Sequence, residues 1–347
     1  MKTIHVNTSS PYNVIIERGS ADNCGKYISE VVKSKKTAII TDDIVDNLYG
    51  DRVRKSLTDC GFEHTTFVFK NGEASKNLSV LSDIYDFLCE SSITRSDTII
   101  ALGGGVVGDI TGFAAATYLR GISFVQIPTT LLAQIDSSVG GKTAIDLKSG
   151  KNLAGAFKQP SLVICDSNTL NTLSPEILAD GMAEAIKYGM IRDEKLFELI
   201  AGHNLENISE VMDDVVYTCI DIKRDVVEND EFDRGERMIL NFGHTIGHAI
   251  EGYHNYTNYT HGKGVAAGMC CITRRFAPQL SDRLEACVKA YRLPVDTEAP
   301  MSQLIPFCSK DKKRETDSIS YIVCEKIGKA EIRKTSVSDF GRLMEEV

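Results

Sequence analysis

Four of the seven histidines fall between 244 and 261, three of them in the strings NFGHTIGHAIE and YTHGKG. His244 and His248 are four residues apart on a segment of helical character, so their imidazoles share one face and could both reach a metal ion. His261 comes from the turn that opens the next helix. A catalytic zinc site needs three protein ligands and an open position, and two histidines with one carboxylate are a common set. The candidate carboxylate is Glu184 in GMAEAIKYGM, a single acid in a stretch of small residues, where a tightly packed apolar face would not accommodate it. For any one of these histidines, a hydrogen-bonded core or surface role is the alternative. The clustering points to a metal.

A second chemical signal is Gly103-Gly104-Gly105-Val106-Val107-Gly108-Asp109, which follows a strand pattern and opens a helix. Glycines let backbone approach a pyrophosphate, and a helix N-terminus offers it N–H groups and a positive dipole end. Tight strand-to-helix packing without a ligand is the competing reading. The acidic residue expected about 20 residues downstream for a ribose is missing, because ISFVQIPTT carries no carboxylate. Instead Asp42 follows the strand KTAIIT, and Gly72-Glu73-Ala74-Ser75-Lys76 follows the next strand. Both lie at C-terminal strand ends, where an open α/β sheet binds ligands, so an NAD site assembled in a different chain order fits.

Cations surround these motifs. Lys142 and Lys151-Asn152 sit in the glycine-rich stretch DSSVGGKTAIDLKSGKN, Lys187 lies one turn from Glu184, and Arg237 precedes His244 by seven residues. Arg120 and Lys223 add charge elsewhere. Each alone reads as a solvated surface charge. Gathered near a metal and a nucleotide in an acidic protein, they point to a small, multiply anionic substrate such as a phosphorylated acid.

The elements that must position these residues divide the chain. With 347 residues, 42% of them hydrophobic, the chain exceeds what one core usually supports and predicts two domains. Short β-branched runs at 36–41, 64–70, 97–103, 122–128 and 161–166 alternate with helix-like stretches at about 44–59, 75–90, 106–118 and 129–139. That alternation predicts a mostly parallel, helix-covered sheet. After Asp166 come amphipathic segments at 175–191, 208–228, 236–252, 262–277 and 281–291, with one late strand candidate, YIVC at 321–324. The expected division is therefore residues 1–166 as an NAD-binding α/β domain and 167–347 as a helical metal- and substrate-binding domain. A net charge of −9 argues against nucleic acid or an anionic membrane as partner. No apolar stretch approaches ~20 residues and the N-terminus lacks a signal-peptide pattern, so we expect a cytoplasmic protein. The ten cysteines are scattered without a CxxC pair and read as reduced, mostly buried thiols. The run KDKKRE at 310–315 reads as a solvated loop.

Read together, the strings GGGVVGDITGFAAATYLRG, QIPTTLLAQIDSSVGGKTAID, GKNLAGAFKQP, GMAEAIKYGM, LNFGHTIGHAIE and HGKGVAAGM closely resemble, in matching order, the 3-dehydroquinate synthase family of sugar-phosphate cyclases. The resemblance implies a Rossmann-like N-terminal nucleotide-binding domain and a mainly α-helical metal-binding C-terminal domain. It implies that Glu184, His244 and His261 hold the divalent metal, zinc with cobalt able to substitute. It assigns His248 to substrate binding and proton transfer, not to the ligand role that spacing alone allows. For the substrate it implies Asp136, Lys142, Lys151, Asn152, Lys187, Lys223, Arg237 and Asn241, with Arg120 coming from the neighbouring subunit of a homodimer. For NAD it implies Asp42, Glu73, Lys76, Gly105, Val106, Val107, Gly108, Asp109, Thr129, Thr130, Lys142, Lys151 and Thr172. A DKK segment at this point of the family can reach the substrate, which here singles out Lys312 or Lys313. Three positions depart from the family pattern: Asp233 and Thr169 replace a usual Glu and a common aromatic, and Ile177 stands where a Glu often follows the turn.

The reaction implied converts 3-deoxy-D-arabino-heptulosonate 7-phosphate to 3-dehydroquinate and phosphate, a step toward aromatic amino acids. Transient oxidation by bound NAD, phosphate elimination, re-reduction and an intramolecular aldol closure follow one another, so NAD is not consumed and the class is a carbon–oxygen lyase. A sibling cyclase acting on a substrate without a carboxylate, and a metal-dependent polyol dehydrogenase that releases NADH each turnover, are the rival readings.

Overall fold

The computed structural model describes residues 1–254, 259–308 and 318–345. By its contacts the chain forms two units, Met1–Leu173 with Lys223–Phe232, and Ser174–Ile222 with Asp233–Val347.

The first unit carries the strands β1 (Lys2–Val6), β2 (Tyr12–Ile16), β3 (Lys36–Asp42), β4 (Glu63–Phe69), β5 (Thr98–Gly103), β6 (Ser123–Pro128), β7 (Lys142–Leu147), β8 (Gly150–Phe157) and β9 (Leu162–Cys165). A seven-stranded sheet runs in the order β1-β2-β9-β6-β5-β3-β4. All its pairings are parallel except β1 with β2. The five strands expected from β-branched runs are β3, β4, β5, β6 and β9, and the parallel body includes a sixth, β2, which pairs with β9. β3, β5, β6 and β9 are nearly continuous apolar runs because both of their faces are covered, whereas the edge strand β4 is polar in its first half and only partly buried. Ala38, Ile40, Ile99, Ala101 and Phe124 pack on one side with α4 (Leu78–Glu90) and α5 (Gly105–Thr117). Ile39, Ile100, Leu102, Val125 and Ile127 pack on the other with α1 (Cys24–Val31) and α3 (Asp51–Asp59). A single turn, α2 (Asp43–Val45), leads through a π turn at Asp46–Gly50 into α3.

Successive strands reverse direction across the sheet at β3 and β5, since β4 lies beyond β3 and the chain then returns to β5. That reversal is the switch point where parallel sheets hold ligands. The helix-like stretch expected at about 129–139 is helical over residues 131–137, most of it a π turn at Ala133–Ser137. The glycine-rich stretch that carries Lys142 and Lys151, for which no strand was expected, contributes to an antiparallel hairpin of β7 and β8, Lys142 opposite Phe157. Gly155 is required there, because a Cβ would sit 2.2 Å from the Thr143 carbonyl oxygen.

The second unit is mainly helical, with α6 (Pro175–Arg192), α7 (Glu194–Ala201), α9 (His244–Tyr253), α10 (His261–Phe276), α11 (Ser281–Ala290), α12 (Met301–Cys308) and α13 (Val337–Glu345). The helix α8 (Met212–Asn229) begins in this unit, and its residues from Lys223 onward group with the first. α6 starts at a Ser174 N-cap with Pro175 in its first turn and is buried almost all round from Ala179 to Ile191, the mark of a central helix. The segment 236–252 is not one helix. It breaks into a 3-10 turn, Glu236–Asn241, and α9, separated by Gly243 at φ 80°. The late strand is also longer than expected: β10 (Ser318–Lys326) pairs antiparallel with β11 (Lys329–Ser336). All ten cysteines are free thiols and eight are buried.

Candidate metal centre and nucleotide-binding residues

Glycine contacts bring the histidine-bearing helices α9 and α10 together. A Cβ on Gly247 would lie 2.9 Å from the Gly264 backbone, and one on Gly268 would lie 2.1 Å from the Gly243 carbonyl oxygen. Such backbone-to-backbone approach sets His244, first residue of α9, beside His261, first residue of α10, with ring centroids 5.1 Å apart. The start of α10 is tied to α6 as well. Asp180 Oδ1 accepts a hydrogen bond from Gly262 N at 2.7 Å, satisfying an N–H that the helix leaves unpaired. One turn along α6 from Asp180, the fully buried Glu184 turns to the same two imidazoles.

Glu184 Oε1 lies 3.5 Å from His244 Nε2 and 3.4 Å from His261 Nε2, while Lys187 Nζ pairs with Oε2. One carboxylate oxygen and two ring nitrogens thus lie within 4.8 Å of one another. Each imidazole is oriented through its other nitrogen. His244 Nδ1 donates to the Phe242 carbonyl at 3.2 Å, and His261 Nδ1 donates to Glu251 Oε1 at 2.9 Å. Burial and the nearby Lys187 charge push His244 well below its ordinary value, leaving it neutral and able to ligate. Burial acts the same way on His261, but hydrogen bonds to Glu184 and Glu251 outweigh it and push the ring up to about 10. The centre therefore favours positive charge at the Nε2 edge of His261. Hard carboxylate and borderline imidazole donors, converging on a buried Glu184, fit a divalent ion such as zinc.

His248 is exposed, with its ring 5.3 Å from that of His244 and 6.0 Å from that of His261. The i, i+4 pair is thus adjacent, yet the close set is Glu184, His244 and His261, and His248 falls in a second group with Glu251 and His261. Arg237 is buried and Asn241 exposed on the turn before α9. Sequence reasoning missed Glu251 and Asp180. Glu251 carried a readable signal, since it stands seven residues after His244 on one helix face. Asp180 carried none, because its partner is a backbone N–H from a distant segment.

In the first unit, Gly104 caps α5, and Gly105, Val106, Val107, Gly108 and Asp109 form its opening turns at the end of β5. Buried Lys76 is held by Asp109 Oδ2 at 2.6 Å and Asn152 Oδ1 at 2.6 Å, with Glu73 at 3.8 Å. Burial pushes the Asp109 carboxyl up to about 6, against the pull of Lys76. Asp42 spends one oxygen capping α2, accepting from Ile44 N and Val45 N. Thr129 N donates to the Gly103 carbonyl, and Thr130 Oγ1 accepts from Ala133 N. The Thr172 hydroxyl meets Tyr49 OH at 2.5 Å and Thr169 O at 3.1 Å, and the departing residue Thr169 itself accepts from Gln134 Nε2. Lys223 pairs with Asp136. Lys142 and Lys151 are exposed on the β7–β8 hairpin. Arg120 is exposed at φ 65°, next to Leu119 at φ 50°. Lys312 and Lys313 lie outside the described residues.

The family description "3-dehydroquinate synthase N-terminal" matches residues 66–180, and "3-dehydroquinate synthase C-terminal" matches residues 181–314. The chain belongs to the 3-dehydroquinate synthase family. It is 47% identical over 345 residues to the 3-dehydroquinate synthase of Clostridium acetobutylicum, covering 96% of each chain. It is 42% identical over 348 residues to that of Streptococcus mutans, covering 97% of each. Among solved structures, 2-deoxy-scyllo-inosose synthase in complex with carbaglucose-6-phosphate, NAD+ and Co2+ matches with a TM-score of 0.87 at 24% identity, over 99% of this chain and 100% of that one. The 2-epi-5-epi-valiolone synthase of Streptomyces hygroscopicus, with NAD+ and Zn2+ bound, matches with a TM-score of 0.88 at 22% identity, over 99% and 97%. Glycerol dehydrogenase from Schizosaccharomyces pombe matches at 0.64 and 13% identity, over 96% and 88%. These structural likenesses carry the fold, a mostly parallel α/β unit followed by a helical one. Among the described residues, no helix is long and apolar enough to cross a membrane.

Proposed function

We infer that this enzyme converts 3-deoxy-D-arabino-heptulosonate 7-phosphate to 3-dehydroquinate and inorganic phosphate, as a carbon–oxygen lyase of aromatic amino acid biosynthesis acting in the cytoplasm as a homodimer. The observation that carries the reading is the buried Glu184 facing His244 and His261 in a chain 47% identical to a relative bearing that name. Bound NAD supplies a reversible hydride acceptor and a divalent metal, zinc or cobalt, supplies Lewis-acid polarisation of a substrate hydroxyl.

Glu184, His244 and His261 would hold the metal. Lys76, Asp109 and the glycines that open α5 would hold the nicotinamide nucleotide, together with Asp42, Glu73, Thr129, Thr130, Lys151 and Thr172. Lys187 and Arg237, both buried cations, suit the carboxylate and oxyanions of the substrate, since a desolvated cation binds an anion more strongly than a solvated one. Lys142, Lys151 and Asn152 suit the phosphate, which can itself take up the neighbouring proton as it leaves, so no dedicated strong base is needed. Asp136 and Lys223 form a pair that can exchange partners with substrate hydroxyls. His248, exposed beside the metal set, is placed to move a proton, and Asn241 to position the sugar. Arg120 would serve the neighbouring subunit.

The test supplies NAD and the heptulosonate phosphate to the metal-loaded enzyme and follows phosphate and the absorbance at 340 nm. Stoichiometric phosphate release without net NADH supports the cyclase. NADH accumulating in each turnover would instead identify a polyol dehydrogenase.

A further inference from the structure

His261 is contacted by carboxylates at both ring nitrogens. Its Nε2 faces Glu184, while Glu251 Oε1 holds Nδ1 at 2.9 Å. Glu251 is 5% exposed, and its position near the end of α9 places it two turns from His244 on the same helix. Burying a carboxylate costs free energy unless a partner compensates it, so this residue is where it is because of what it touches. The two ligand rings are also treated unequally. His244 donates to a neutral carbonyl, His261 to a charged carboxylate. A charged acceptor at Nδ1 fixes the tautomer, locks the ring plane and raises the electron-donating power of Nε2.

We propose that Glu251 is a positioning residue of the metal centre, which through Nδ1 of His261 sets the ring orientation and the strength with which the site holds a divalent ion. The proposal rests on the metal reading of Glu184, His244 and His261. Glu251 does not touch substrate or the reacting atoms; it acts through His261. His261 Nδ1 cannot donate to Glu251 and ligate an ion at the same time, so an ion held through that nitrogen would displace the hydrogen bond. A second ion held by His248, Glu251 and His261, which also lie within 4.8 Å of one another, is therefore the competing arrangement.

The test measures zinc and cobalt per chain by elemental analysis, metal affinity by chelator competition, and the visible absorption of the cobalt form, in the full-length wild type and in Glu251→Gln and Glu251→Leu. Gln keeps an acceptor at the same reach without charge, whereas Leu removes it. One ion per wild-type chain is expected. Affinity should fall about tenfold in Glu251→Gln and toward a hundredfold in Glu251→Leu, with a shifted cobalt spectrum in both. A purely structural role would lower thermal stability without changing that spectrum. Should Glu251→Leu fail to fold, the Gln variant, nearly isosteric, still decides. Unchanged affinity and spectrum in the variants would overturn the proposal. So would two ions per wild-type chain with one lost on substitution, because Glu251 would then be a ligand. A wild type that binds no divalent ion would instead remove the metal reading beneath it.

Discussion

Substituting Gly268→Ala tests whether the packing of α9 on α10 is what makes the metal centre. The added Cβ would sit 2.1 Å from the Gly243 carbonyl oxygen and 3.0 Å from the Gly247 nitrogen, both backbone atoms with no rotamer to change. Relief requires a displacement on the order of 1 Å, whereas a ligand set must be held to within about 0.5 Å. Gly243 immediately precedes His244, so the strain is delivered to a proposed ligand. Overpacking of this kind costs about 1–3 kcal/mol. A metal that demands the close arrangement must work against that strain, and its affinity should drop by roughly 5- to 150-fold. In the metal-stripped protein the same strain should lower the melting temperature by about 2–4 °C per kcal/mol. Gly247→Ala, whose Cβ would meet Gly264 at 2.9 Å, should show smaller losses in both. Chelator competition with zinc and cobalt, alongside melting of the stripped forms, makes the comparison. A Gly268→Ala variant with wild-type affinity and wild-type melting would refute the link between glycine packing and the site.

His261→Ala should lose bound metal and activity yet keep its helices, whereas His248→Ala should keep the metal and lose rate; elemental analysis with the phosphate-release assay separates the two, and the reverse pattern would make the i, i+4 pair the ligands. Asp180→Ala removes the acceptor at Gly262 N, a loss comparable to a helix cap at about 1 kcal/mol, and should lower the melting temperature modestly while weakening metal retention more than Asp180→Asn does. Exhaustive chelation should abolish phosphate release, and either zinc or cobalt should restore it; activity that survives complete metal removal would contradict the mechanism. Asp109, pushed up to about 6 by burial, binds its proton more tightly in the folded chain than at its ordinary value of 3.8. Its contribution to stability is therefore present in full below about pH 4 and is lost as pH rises through 6. Carboxyl carbon NMR should show a midpoint near 6 that moves higher in Lys76→Met, and a midpoint near 4 in the wild type would count against it.

Local rules account for much of what is legible in the sequence. Continuous apolar runs such as TAIIT and TIIALG read as strands because a helix-covered parallel sheet buries both faces, and that burial is visible residue by residue. Glycines at the end of β5 announce a close backbone approach, and Glu184 with the histidines at 244, 248 and 261 declare a pool of possible donors by residue type. Periodicity misjudged the places where backbone geometry overrides it. The segment 236–252 looks helical throughout, yet Gly243 in the left-handed region ends one turn and starts another. The β7–β8 hairpin is rich in glycine and draws no strand expectation, because its stability comes from cross-strand pairing between residues that local windows do not connect.

What only the tertiary structure decided is long-range. No window of sequence places Asp180 Oδ1 on Gly262 N, 82 residues away, or groups residues 223–232 with the first unit. Which imidazoles share Glu184, and that His261 rather than His248 completes the close set, depends on the angle at which α10 crosses α9. That crossing is set by glycines whose missing side chains allow backbone contact. The sequence names the groups able to bind a metal, and the packing selects among them, because ligation is decided by distances of a few ångströms between atoms from separate segments.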